Sequence, residues 1–291
     1  MRYDAVIFYC HFGAGDVYES REFVKEWMKK IDADSYYYAH GKNPKILKDI
    51  QGLQFTPVTD VMKPERDIWI ENKILYINTW IGRDGSYVLP GIGTTLEQFY
   101  KMHNDLMRKL GIGKLTGNPI DYLPQIDYSY FPDINNVRIF MEAHPEDKIL
   151  IDNGLCQSMQ AENFNFNPII FRLSGAYPNK LFITVQNNGL AHFENILSAG
   201  EIICSSDGFD LTELSYLSEY CSCLIGRNSG PHVHMQNVVN CMNGNKKLGS
   251  FTYKATGASF VVNSPVLIKK YWSSYENDDN VFRKCREIID G

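Results

Sequence analysis

The sequence predicts an α/β protein built from two successive domains, each a parallel sheet with helices on both faces. Three observations predict it. Short apolar runs alternate with amphipathic helical stretches in two blocks, each block opens on a strand followed by a glycine-bearing turn, and 291 residues is the length that about two domains need. Two such Rossmann-like halves are expected to face each other across a cleft, with ligands at the carboxyl ends of their strands.

In the first block, Asp4 to Cys10 is an apolar run ending in Gly13, Ala14, Gly15 and Asp16. Val17, Phe23, Val24, Trp27 and Met28 then recur at helical spacing through Ile31, which reads as strand, turn and helix. Further strands are predicted at Ser35–Ala39 and Lys73–Ile81. A long helix is predicted at Thr94–Leu110, opened by Thr94, Thr95 and Glu97 and closed by Gly111. Glycines and prolines from Gly111 to Pro132 break any period and mark an interdomain linker, with the boundary near 125, giving domains 1–125 and 126–291.

In the second block, strands are predicted at Lys148–Ile151, Leu181–Val185, Glu201–Cys204, Cys221–Ile225 and near Leu248. Helices are predicted at Asn163–Ser174, Leu211–Glu219 with Asp210 as its cap, Ser229–Val239, and about Asn280–Ile289.

Composition narrows the function. With 29 basic and 34 acidic residues the formal charge is -5, which provides no field for gripping a nucleic-acid backbone. No run approaches the 18 or so apolar residues of a membrane span and the Ala5–Tyr9 run is too short for a signal core, so a cytoplasmic location and no transmembrane segment are expected. Seven cysteines without paired C-x-x-C knuckles read as buried thiols; Cys221 and Cys223 read as small residues entering a strand.

Three turns can carry chemistry. The first, His11 to Asp16, lacks the third glycine of a dinucleotide fingerprint, since Tyr18 stands in its place. Asp16 there is either a general base at a strand end or a helix cap. The second, Ile225 to Pro231, offers Ser229, Gly230 and helix N–H groups to phosphate oxygens, with Arg227 as a cation. The third, Ile151 to Gln157, places Asn153 and Gly154 near the same anion or forms a plain turn. Asp32 and Asp34 have D-x-D spacing but precede a strand, so no metal is expected there. His232 and His234, about 200° apart on a helix, cannot share one metal.

Gly15, Asp16, Val17, Tyr18, Glu19 and Ser20, together with Asp210 to Leu214 and Gly226 to Pro231, resemble the bacterial lipopolysaccharide heptosyltransferases and their relatives, which are GT-B glycosyltransferases. The resemblance implies that Asp16 is the general base and that Ser229 and Gly230 bind the diphosphate of a nucleotide sugar. It further implies that the backbone of Phe209 reads the nucleotide base and that Glu194 touches the ribose. The sequence departs from the pattern in three places: Asn228 stands for the aspartate before Ser or Thr, the family histidine falls one place from His234, and Gln157 lies where a phosphate-binding lysine is expected.

The expected function is therefore metal-independent, inverting transfer of a sugar from a nucleoside diphosphate sugar to a saccharide or other hydroxyl acceptor, as in polysaccharide biosynthesis. Donor residues are Asn153, Gly154, Gln157, Glu194, Phe209, Arg227, Asn228, Ser229 and Gly230, and no cofactor is required. A non-catalytic nucleotide-sugar sensor and a nucleotide-sugar epimerase are the alternatives; Glu19 and His11 are the reserve candidates for the base.

Overall fold

Ala5–Tyr9 (β1) is almost wholly buried, as a strand covered on both faces must be, and it forms the centre of the first sheet. The computed structural model describes all residues except 1, 58–61, 64, 82–94, 158, 188, 190–192 and 255–265. Its chain divides into two compact units, Met1–Ile126 and Asp127–Gly291.

In the first unit β1 leads into Ala14–Glu19 (α1) and Arg21–Lys30 (α2), then Tyr36–His40 (β2), Leu53–Pro57 (β3), Ile68–Glu71 (β4), Ile74–Asn78 (β5) and Thr95–Lys109 (α3). The strand order is β3-β2-β1-β5-β4. All pairings are parallel except β4 with β5. That antiparallel edge departs from the expected all-parallel sheet. Its cause is local: Asn72 and Lys73 both have positive φ, 49° and 62°, the backbone of a tight two-residue hairpin. The single helix expected through Ile31 is two, because the chain breaks at Ser20, whose hydroxyl donates to the Val17 carbonyl at 2.8 Å. Thr94, the expected first residue of α3, lies outside the described residues.

The glycine- and proline-rich stretch after α3 is no free linker. Leu115, Tyr122 and Leu123 are buried, Tyr122 stacks on Phe23 at 4.8 Å, and Arg21 donates to the Gln125 carbonyl at 3.1 Å. These contacts hold the stretch to the first unit.

The second unit runs through Ile134–Ala143 (α4), Asp147–Asp152 (β6), Asn167–Ala176 (α5), Lys180–Thr184 (β7), Ile196–Ser198 (β8), Ala199–Ile203 (α6) and Leu211–Ser218 (α7). It continues through Cys223–Arg227 (β9), Gly230–His234 (α8), Val238–Cys241 (α9), Lys247–Phe251 (β10), Lys269–Ser273 (β11) and Asp278–Asp290 (α10). The strand order β11-β10-β9-β6-β7-β8 is parallel throughout. Its core joins Ile149, Ile151, Phe182 and Ile225 of the sheet to Ile169 and Leu173 of α5 and Val281 and Ile288 of α10. The seven cysteines are free thiols, all buried except Cys204.

Two expectations fail here for identifiable reasons. Glu201 to Ile203 belongs to helix α6 and Cys204 is its left-handed cap, since Ser198 and Glu201 form a reciprocal capping box, and the strand is the preceding Ile196–Ser198. The helix expected over Ser229–Val239 is divided into α8 and α9 by Asn237, whose side chain accepts from the Asn240 N–H at 2.9 Å and so caps a new start.

Candidate functional site

Each sheet reverses its winding at one place of its own, and candidate residues of that unit lie near it. In the first sheet β2 and β3 build outward on one side of β1, and β5 lies on the other. In the second, β7 and β8 lie on one side of β6 and β9 on the other. The crevices at the carboxyl ends of β1 and β5, and of β6 and β9, are therefore the topological switch points at which open α/β sheets take ligands.

At the first crevice, the loop after β1 carries His11, Phe12 and Gly13 into α1. Asp16 is the third helical residue, and its Oδ2 accepts from the Gly13 N–H at 3.2 Å, so it closes the turn that precedes it. The cap position itself is held by Gly13, so Asp16 is not the expected N-cap: from inside the first turn its carboxylate reaches back to the N–H of the cap residue. Burial pushes its pKa up to about 6, against the opposing pull of the Gly13 N–H. A carboxyl so placed can take up a proton near neutral pH. Glu19 follows one helical turn later; it is buried, its Oε1 has no hydrogen-bond partner, and burial followed by the charge of Asp16 raises its pKa well above the usual range. Behind them the hydroxyls of Ser20, Tyr38 and Thr79 form a chain, 2.9 Å and 2.6 Å apart. In front, Phe12 stacks on Trp80, which follows β5, with centroids 4.7 Å apart, and His11 meets Trp80 edge-on at 4.6 Å.

At the second crevice the organising residue is one that motif reading passes over. Asp152, the last residue of β6, is fully buried. Its carboxylate accepts from the hydroxyl of Ser229 and from the N–H groups of Gly154, at 3.0 Å, and His232. It thereby joins the end of β6, the following turn and the start of α8. Burial raises its pKa to about 6, with Ser229 the largest opposing influence. Gly226 is required beside it: a Cβ there would stand 2.6 Å from the Asp152 Cβ and 2.9 Å from the His232 ring. The alternation of Asp152 with Asn153 and Gly154 at a strand end was the available signal.

The expected donor residues divide into groups. Asn153, Gly154, Asn228, Ser229 and Gly230 lie together at this crevice, and a Cβ added to Gly230 would meet nothing within 4 Å, so there is space beside its Cα. The Asn153 side chain bonds reciprocally to the backbone of Gln186, at 3.0 Å and 2.8 Å, and Asn228 donates to the Gln160 side chain at 2.7 Å. Gln157 is exposed on the loop that continues from Gly154. Phe209 lies two residues before α7, but its N–H donates to Asp207 at 3.0 Å and its carbonyl accepts from Ser205 at 2.9 Å.

Two of the expected donor residues stand apart from this group. Glu194 precedes β8 and so stands at the amino edge of the sheet, opposite the edge that carries Asn153 and Ser229. Arg227 is 1% exposed and points into the protein. Its guanidinium donates to the carbonyls of Glu162, Asn153, Gly154 and Phe164 and lies 4.5 and 4.7 Å over the rings of Phe164 and Phe166. It is last in a fully buried strand, and its side chain ties loops together.

The remaining decoys resolve simply. Asp32 and Asp34 lie between α2 and β2, at the amino edge, ion-paired with Arg2. His232 is buried, with Nε2 3.2 Å from the Gly249 carbonyl and a pKa lowered by burial to about 4; His234 Nδ1 lies 2.8 Å from the Gly230 carbonyl. Among the described residues no three His, Cys, Asp or Glu side chains group as a metal site, and no helix is long and apolar enough to cross a membrane.

No protein-family model matches the sequence, and no curated protein does. Solved structures do match. A family 9 glycosyl transferase from Veillonella parvula superposes with a TM-score of 0.59 at 10% identity, over 99% of this chain and 98% of that one. The E. coli heptosyltransferase WaaC, solved with ADP-2-deoxy-2-fluoro heptose, gives 0.55 at 8% identity over 100% and 99%. The E. coli ADP-heptose lipopolysaccharide heptosyltransferase II gives 0.51 at 9% over 98% of each. The likeness is one of fold and extends over nearly the full length of each chain: this protein has the α/β architecture of the GT-B glycosyltransferases.

Proposed function

We propose that the chain is a glycosyltransferase that moves a sugar from a nucleoside diphosphate sugar to an acceptor hydroxyl, with Asp16 as the base. The observation that carries this reading is a carboxyl at the first switch point whose burial raises its pKa to about 6, in a chain of GT-B fold. In the reaction the acceptor oxygen bonds to the anomeric carbon as its proton passes to the Asp16 carboxylate, and the bond from that carbon to the diphosphate breaks. Direct attack inverts the anomeric centre.

The donor diphosphate belongs at the second crevice, in the space beside Gly230 at the start of α8 and next to the turn at Gly154, where the N–H dipoles of that helix start would stabilise the leaving charge. Arg227 serves that site by fixing the Asn153 and Gly154 carbonyls, so the turn is held before any ligand arrives. No metal is assigned a role. Incubation with a panel of nucleoside diphosphate sugars tests the reading: release of nucleoside diphosphate that depends on Asp16 supports it, and intact donor in every case, acceptors included, rejects it.

A second reading, a sensor that binds nucleotide sugar without transfer, is favoured by one feature. The Asp152 carboxylate already accepts from the N–H groups of Gly154 and His232, which leaves fewer donors for a phosphate. Stabilisation by donor without any turnover, slow hydrolysis included, selects this reading.

A further inference from the structure

The first crevice holds more than a base. Phe12 lies in the loop after β1 and Trp80 after β5, so their stacked rings bridge the two strands that flank the switch point. Phe12 is 45% exposed although one side rests on Trp80 at an interplanar angle of 21°. His11 braces Trp80 from the side at 80°, and its Nδ1, shielded from solvent, has no hydrogen-bond partner. The loop cannot drift from the base, because the N–H of Gly13, the residue after Phe12, is bound by the Asp16 carboxylate. An exposed, braced aromatic surface is thus fixed beside a proton-accepting carboxyl.

We infer that the Phe12 and Trp80 rings form a stacking platform for the acceptor, and that the acceptor is an uncharged sugar ring. This rests on the transferase reading for the word acceptor; the platform itself does not. A pyranose has faces of polarised C–H groups with hydroxyls around its rim, which complements the electron-rich face of an arene and leaves a hydroxyl free to meet Asp16. Charge argues against an anionic ring. The carboxylate of Asp16 holds the loop that carries Phe12, burial lowers the pKa of His11, and among the described residues the cation that acts on Asp16, Lys42, follows β2 on the far side of β1 from Trp80.

Saturation-transfer NMR on the full chain tests this with the methyl glycosides of glucose, galactose, mannose and N-acetylglucosamine, and with methyl glucuronide as the charged twin of the glucoside. At least one neutral glycoside is expected to receive saturation mainly on the C–H groups of one ring face. Phe12→Ala should weaken it about tenfold, and Phe12→Leu, which keeps apolar bulk without an arene, should weaken it similarly, while Trp80→Phe retains most binding. Circular dichroism checks that each variant folds. Binding of none of the four, equal binding by Phe12→Ala, or tighter binding of the glucuronide overturns the inference. Thermal shift with nucleoside diphosphates, run in parallel, separates the two proposals. Donor stabilisation without Phe12-dependent glycoside binding defeats the platform alone. Phe12-dependent binding without any donor stabilisation or turnover supports the platform and defeats the transferase reading.

Discussion

The hydroxyl of Ser229 donates to the buried carboxylate of Asp152, 77 positions earlier, and so connects the start of α8 to the end of β6. Removing that donor exposes how much the charged form of Asp152 depends on it. Ser229→Ala is expected to cost roughly 1.5–3 kcal/mol at about pH 7.5, because a charge-assisted bond to a buried acid is lost. The cost should shrink near pH 5. Burial raises this carboxyl from 3.8 to about 6, so it is protonated in the folded chain at pH 5 and no longer needs a donor for its charge. Urea unfolding at both pH values checks this; an equal cost at both places the effect elsewhere.

Asp16→Asn separates catalysis from stability. The amide oxygen still accepts from the Gly13 N–H, so α1 should start as before, while transfer should slow by roughly 10²–10⁴-fold with nucleotide affinity unchanged. Because the folded pKa of Asp16 lies above its unfolded value, the folded chain binds the proton more tightly. The favourable linkage is complete below the unfolded value and disappears as pH rises through about 6, leaving a buried charge. The variant should therefore melt higher than wild type at about pH 7.5 and nearly equally near pH 4.5. Wild-type turnover in the variant would leave Asp16 only its bond to the cap residue Gly13.

Arg227→Lys keeps a positive charge but loses the planar fork that serves four carbonyls. A loss on the order of 3 kcal/mol in folding stability is expected, with nucleotide affinity in the folded variant falling by less than about tenfold. A variant of normal stability that binds nucleoside diphosphate far more weakly would show that the guanidinium meets phosphate after all.

Activity, once an acceptor is found, should survive EDTA. The D-x-D pair Asp32 and Asp34 is ion-paired with Arg2 at the amino edge of β2, at the opposite end of the strands from Asp16. Abolition by chelator and rescue by manganese or magnesium would reject this.

Where the sequence was legible, local signals and tertiary packing agreed. The apolar runs at β1, β6, β7 and β9 and the helices α3, α7 and α10 lie within a few residues of their expected places. What was illegible depended on partners distant in sequence. β3, with exposed Gln54 and Phe55, has no apolar run and is a strand because it pairs with β2; β11, half polar, exists because β10 offers an edge. At the site, Asp16 and Ser229 were legible because a glycine turn precedes or follows each. Asp152 was not, since its importance lies in Ser229 and His232, and the direction of Arg227 was not, because a sequence shows charge but not which way a strand-end side chain turns.

The guanidinium of Arg227, packed over the rings of Phe164 and Phe166 and bonded to carbonyls at both 153–154 and 162–164, makes two loops a single mechanical body. Amides of these segments should exchange with deuterium together with the central strands β6 and β9, at the slow rates of subglobal opening, and not at the fast rates of surface turns. A crevice floor that opens only when the sheet does carries little ordering entropy to lose on ligand capture, so association there should be fast and show a small heat-capacity change.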